Sequence, residues 1–135
     1  MTRRAWLLAV PMALSCRGRS NKDSAVSFPR EFGGTWKLTS TAPVPSAEIP
    51  EEARRLGLRT ATRASYQGTN DLTVNVYQMT SEGGAFEMRQ KSRPDEGLLA
   101  FHRGDLFVVM ESRSMDNHGL VAAAEAFEDA LESQP

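Results

Sequence analysis

Leu72-Thr73-Val74-Asn75-Val76-Tyr77-Gln78-Met79 decides the fold of this chain. Leu72, Val74 and Val76 fall on one side of an extended backbone, and Thr73, Asn75 and Tyr77 on the other. Such alternation marks a strand with one face in a core. Just before it, Gly68-Thr69-Asn70-Asp71 reads as a turn, with Arg59 to Gln67 as the partner strand. Leu98 to Arg103 and Leu106 to Arg113 repeat the device around Gly104-Asp105. Leu106-Phe107-Val108-Val109-Met110 is apolar on both sides, which predicts a central strand covered on both faces.

Working outward, Trp36 to Thr41 reads as a first strand, ended by Pro43 and Pro45. Pro50 to Gly57 reads as a short helix, with Pro50 at the first helical position, Glu51 and Glu52 in the first turn, and Gly57 as the C-terminal cap. Thr80 to Arg93 predicts a second helix, its weak apolar face made by Ala85, Phe86, Met88 and Arg89, with Pro94 beyond it. Met115 to Glu132 is the clearest helix, since Leu120, Ala123, Ala124, Phe127 and Leu131 form one stripe and Ser114 or Asp116 can cap it.

The element order is therefore β-α-β-β-α-β-β-α. Tight turns imply an antiparallel arrangement. The expected class is α+β: a single antiparallel sheet of about five strands, with helices packed mainly on one face. A ferredoxin-like core with an added strand and helix is one winding that fits. Residues 28–135 make a single domain in this reading.

Composition narrows the function classes. Hydrophobic residues make up 40% of the 135, enough for one modest core. The net charge is −1, and loss of Arg3 and Arg4 with a cleaved leader takes it to −3, so no basic footprint for nucleic acid exists. Two His and one Cys are too few for the usual zinc site and exclude an internal disulfide. No metal or cofactor is called for.

The N-terminus carries the address. Arg3 and Arg4 precede the apolar run Ala5 to Leu14, followed by Ser15 and the lone Cys16. A basic region, a short apolar region and small residues before a cut define an export signal. About ten apolar residues at about 1.5 Å each cover half of a bilayer core of about 30 Å, too short to span it. The box Ala13-Leu14-Ser15-Cys16 resembles that of bacterial lipoprotein signals, with Ala13 and Leu14 departing from the usual pattern. The resemblance implies cleavage between Ser15 and Cys16, a diacylglycerol thioether on Cys16, and an amine acylated by a fatty chain such as palmitate. It places the protein in the cell envelope as a membrane-anchored domain on the periplasmic or extracellular face. Ala13-Leu14-Ser15 also fits an ordinary signal peptidase site, which would give a secreted soluble protein. Thr2-Arg3-Arg4-Ala5-Trp6-Leu7 resembles a twin-arginine export motif. Residues 16–27 are polar and read as a flexible tether. From Leu72 onward, the strand, Ser81-Glu82-Gly83-Gly84-Ala85-Phe86, the Gly-Asp hairpin and the terminal helix look like uncharacterised exported bacterial domains. Those domains bring no activity with them.

Few residues suggest chemistry. An exposed Tyr77 beside Thr73 and Asn75 would make a polar-aromatic surface for an envelope partner. Trp36 and Tyr66 are further candidates for a groove or, equally, for core filling. Gly83-Gly84 between strand and helix is a place for an anion, although the full phosphate-loop pattern is absent and Glu82 would repel a phosphate. His102 or His118 with nearby carboxylates is the basis of an alternative reading as a small hydrolase, but no G-x-S-x-G stretch accompanies them. Arg103-Gly104-Asp105 matches a tripeptide that animal adhesion receptors bind, and turn geometry also accounts for it. The expectation is a non-enzymatic binding module.

Overall fold

The computed structural model describes residues 26–93 and 95–133. The leader, Ser15, Cys16 and most of the tether lie outside the described residues. The elements are β1 (Glu31–Phe32), β2 (Trp36–Pro43), a 3₁₀ turn (Ser46–Glu48), α1 (Glu51–Arg55), β3 (Leu58–Gln67), β4 (Asp71–Met79), α2 (Glu82–Lys91), β5 (Leu98–Arg103), β6 (Leu106–Glu111) and α3 (Asn117–Ser133). The six strands form one antiparallel sheet in the order β1-β2-β3-β4-β6-β5, curled into a half-barrel. The class is α+β with a single sheet, as the sequence predicts. The sixth strand is the two-residue β1, too short to leave a pattern in the sequence.

The winding is not ferredoxin-like. That core is wound from split βαβ units, in which a crossover helix joins two parallel strands and another strand lies between them. Here β2 lies antiparallel beside β3 although α1 separates them in sequence, and β4 lies antiparallel beside β6. Hairpin pairing is the reason: β5 and β6 close on the two-residue turn, and β6 rather than β5 takes the place beside β4.

Register sorts the side chains into two layers. Val74 of β4 stands between Ala64 and Met110, and Val76 between Thr62 and Val108. With Tyr66 and Leu72 these residues face α3, whose Leu120, Ala123, Ala124 and Phe127 are buried against them. Phe32 caps this core: its ring centroid lies 4.8 Å from Tyr66 and 5.3 Å from Phe127, both edge-on. Trp36 and Tyr66 are thus core fillers, not groove walls.

The opposite layer holds Tyr77, Met79 and Phe107 under Ala53 of α1 and Ala85 and Met88 of α2. Two helices share this face, and α3 alone covers the other. Both faces of β6 are covered, since Val108 and Met110 belong to one layer and Phe107 to the other. The same covering buries Tyr77, leaving it 5% exposed. An exposed Tyr77 is therefore overturned: strands paired in one sheet share its faces, so the helices that cover Phe107 cover Tyr77.

The caps follow the sequence with small shifts. Pro50 is the N-cap residue of α1 and not its first helical residue. Gly57 ends α1 at φ 98°, a left-handed position that suits glycine. Ser81 caps α2, its hydroxyl accepting from the Gly84 N–H at 3.0 Å. Asp116, not Ser114, caps α3 by accepting from the Gly119 N–H at 2.9 Å. Among the described residues no helix is long and apolar enough to cross a membrane.

Candidate functional site

Arg54 organises one wall of the site. Its Nη2 donates to the Ser46 carbonyl and hydroxyl, both at 3.0 Å, and ties the 3₁₀ turn to α1. The turn carries Glu48, which accepts from Arg63 Nη2 at 2.6 Å. On α1, Glu52 pairs with Arg55 at 2.5 Å and with Lys91 of α2 at 3.2 Å. The hydrogen bond from Arg55, then that from Lys91, holds the Glu52 carboxyl below its usual range. These bonds link α1 to the C-terminal end of α2.

Between these walls the sheet remains open as a cleft of about 340 Å³. Its floor comes from three adjacent strands in register. Arg63 stands opposite Asn75, and Asn75 opposite Val109; Tyr77 stands opposite Phe107. Met88, Lys91 and Ser92 close the α2 side, with Glu111 and Leu98 at the far end.

Asn75 and Tyr77 are buried polar groups on this floor. Asn75 is 4% exposed. Arg63 Nε donates to Asn75 Oδ1 at 2.8 Å, which fixes the amide orientation and leaves the Asn75 NH₂ as the second group. That NH₂ has no hydrogen-bond partner among the described residues, and neither has the Tyr77 hydroxyl. Burial raises the Tyr77 pKa; the Arg63 charge opposes the shift and Glu111 and Glu48 add to it. The hydroxyl therefore lies in the field of the charges that line the cleft. Buried donors normally find partners, because an unpaired one costs about 1–3 kcal/mol. Two such donors in one opening are what a ligand acceptor or ordered water satisfies.

A larger open depression of about 970 Å³ adjoins the cleft across Leu98 and Glu111. It is rimmed by Asp71, Asp95, Glu96 and Asp116 and includes Thr73. Its buried hydroxyl is satisfied, since Ser112 Oγ accepts from the N–H groups of Ser114 and Met115, each at 3.2 Å. Size favours this depression as a site, but the unmet hydrogen bonds are in the smaller cleft. A wide depression demands no ligand, whereas buried donors without partners do.

The expected partner surface is thus divided. Asn75 and Tyr77 lie together in the cleft, and Thr73 lies in the depression. Gly83 and Gly84 lie in the first turn of α2 and not in a loop, and the Ser81 hydroxyl already accepts from the Gly84 N–H. A Cβ on Gly84 would sit 2.7 Å from the Leu56 carbonyl oxygen, so close packing of α2 on the end of α1 accounts for that glycine. Phe86, expected to face inward, is 47% exposed and lies edge-on to His102 at 5.4 Å. His102 lies on β5 and the exposed His118 on the first turn of α3. The two helices beside these histidines, α2 and α3, cover opposite faces of the sheet. Neither histidine pairs with a carboxylate among the described residues, which also hold no cluster of metal-ligating side chains. Arg103 of the tripeptide pairs with Glu132 of α3 at 3.1 Å, and Gly104 turns the hairpin.

Arg63, Glu48 and Glu111 escape a reading confined to single elements. One signal does reach Arg63. Closing the hairpin with Gln67 opposite Asp71 places Arg63 opposite Asn75, and Ser65 and Thr73 between them complete a polar strip across two strands. Comparison of the chain with family models, with curated proteins and with solved structures finds no match in any of the three.

Proposed function

We propose that this chain is an exported protein of the bacterial envelope, anchored by lipid on Cys16, whose domain is a non-enzymatic binding module. The leader from Arg3 to Ser15 supports the address, and two acyl chains or more on Cys16 would give stable anchoring at about 0.8 kcal/mol per buried methylene. The observation that carries the binding role is the pair of partnerless buried donors, Asn75 NH₂ and Tyr77 OH, in one cleft. The cleft is at the small end of the range of ligand pockets. This points to a small molecule or a short chain terminus, not a broad protein face.

Two measurements test the two halves. Intact mass and membrane fractionation of the full chain, expressed in a bacterium, should show a lipid adduct and membrane retention. Both should disappear with Cys16→Ser. If wild type and Cys16→Ser are equally soluble and carry no added mass, the anchor is wrong. For the binding role, amide NMR spectra are recorded against a diverse library of small fragments. Perturbations should gather at Arg63, Asn75, Tyr77 and Val109. Hits that scatter over the surface, or an absence of hits, would remove the binding reading.

A further inference from the structure

The cleft also constrains what its ligand must carry. Its floor offers donors, the Asn75 NH₂ and the Tyr77 hydroxyl, and so calls for an acceptor oxygen. Its charged rim is already largely neutralised. Glu48 pairs with Arg63, and Glu52 pairs with Arg55 and Lys91. Glu111 is the exception: it has no ion-pair partner among the described residues, and it lines the same cleft on the sheet face of Asn75, two residues along β6 from Val109, the residue opposite Asn75. A free carboxylate beside the donors calls for a cation close to the ligand's acceptor oxygen. Met88, Phe107 and Val109 supply an apolar wall for the rest of the molecule.

We infer that the cleft binds a small ligand with an ammonium group adjacent to a carbonyl or carboxylate oxygen and an aliphatic side chain. This is the chemistry of a free α-amino acid or of the N-terminus of a short peptide. The oxygen accepts from Asn75 and Tyr77, the ammonium faces Glu111, and the side chain lies on Phe107 and Val109. A simple anion is disfavoured, because Glu111 is the unpaired charge of the lining and Arg63 is engaged by Glu48 and Asn75. The inference rests on the binding reading above and adds the ligand's class to it.

The test uses the purified chain and a panel built on one carbon skeleton, with amide NMR titration as the readout. L-Leucine, L-leucinamide and L-leucyl-glycine carry all the required groups. 4-Methylpentanoate lacks the amine, and isoamylamine lacks the acceptor. The first three should bind at least about tenfold more tightly than either control, since a charge-assisted hydrogen bond is worth about one decade or more. A free amino acid as the source gives L-leucine the highest affinity of the three, and a peptide terminus gives it to L-leucyl-glycine. Glu111→Gln, at an exposed position, should weaken L-leucine about tenfold and strengthen 4-methylpentanoate, whose carboxylate it no longer repels. Tyr77→Phe keeps the ring and the core and should weaken every ligand that carries an acceptor. Equal binding of 4-methylpentanoate and L-leucine, or no effect of Glu111→Gln, overturns the assignment of class. No response to this panel, with fragments still gathering in the cleft, overturns it as well and spares the binding reading. If the fragments also miss the cleft, both fall.

Discussion

The two tyrosines of this chain are both buried, and Tyr66 gives a stability that should depend on pH in the alkaline range. Its hydroxyl donates to the Pro29 carbonyl at 2.7 Å, and its ring is 1% exposed among Phe32, Leu72 and Phe127. Burial pushes its pKa well above the ordinary value of 10.0. The sign follows from proton binding: the folded state holds the phenolic proton more tightly than the unfolded state. The contribution is therefore complete below the unfolded pKa, near 10, and is lost as pH rises from there toward the folded value. The loss approaches about 1.4 kcal/mol per pH unit, so about 2 kcal/mol is gone by pH 11.5. Tyr66→Phe removes the bond to Pro29 and leaves a buried carbonyl unmet, at a cost of about 1–3 kcal/mol at pH 8. The variant no longer titrates at this position. The stability gap between wild type and variant should shrink by about 2 kcal/mol between pH 8 and pH 11.5. Urea unfolding followed by circular dichroism measures the gap at each pH. Absorbance at 295 nm should show tyrosinate appearing later in the folded chain than in urea. A gap that stays constant over this pH range would refute the reasoning.

Adjacent glycines in α2 should respond oppositely to alanine. Gly84→Ala places a Cβ 2.7 Å from a backbone carbonyl and should destabilise by about 1–3 kcal/mol, whereas Gly83→Ala meets nothing nearer than Ser81 Oγ at 4.0 Å and should stabilise by about 0.5–1 kcal/mol. Thermal melts of the two variants test this, and equal melting temperatures would contradict it. Phe127→Ala removes the fully buried ring that α3 inserts among Phe28, Phe32 and Tyr66. It should cost about 3–5 kcal/mol and lower Tm by more than about 10 °C, as calorimetry can measure. A loss below about 1 kcal/mol would mean that α3 is not the lid of that core.

The sheet was legible because its evidence is local. The alternation from Leu72 to Val76, the turns at Gly68 and Gly104 and the stripe on α3 each lie within one element or one hairpin, where spacing and geometry are linked directly. β1 was not legible, since two residues hold no period. The order of the strands was not legible either. Whether β5 or β6 lies beside β4 depends on which has both faces suited to covering. β5 is only half-buried throughout, whereas β6 has Phe107 and Val108 buried on opposite faces.

That preference also explains the site. A strand apolar on both sides must be covered twice, and an antiparallel neighbour shares both covers. β6 therefore commits the Tyr77 side of β4 to burial although Thr73 and Asn75 make that side read as polar. α1 is only five residues long and α2 ten, so together they leave part of this face open. The polar residues of β4 lie at the edge of what the helices cover, deep enough to lose water and not deep enough to gain protein partners. Asn75 satisfies its oxygen through Arg63 because the hairpin register brings that arginine across. Its NH₂ and the Tyr77 hydroxyl have no equivalent neighbour. An apolar residue at position 75 would avoid this cost, and leucine or valine there would extend the adjacent apolar layer. The sequence keeps donors at a place where folding alone favours carbon, and the proposed binding role would give such donors a use.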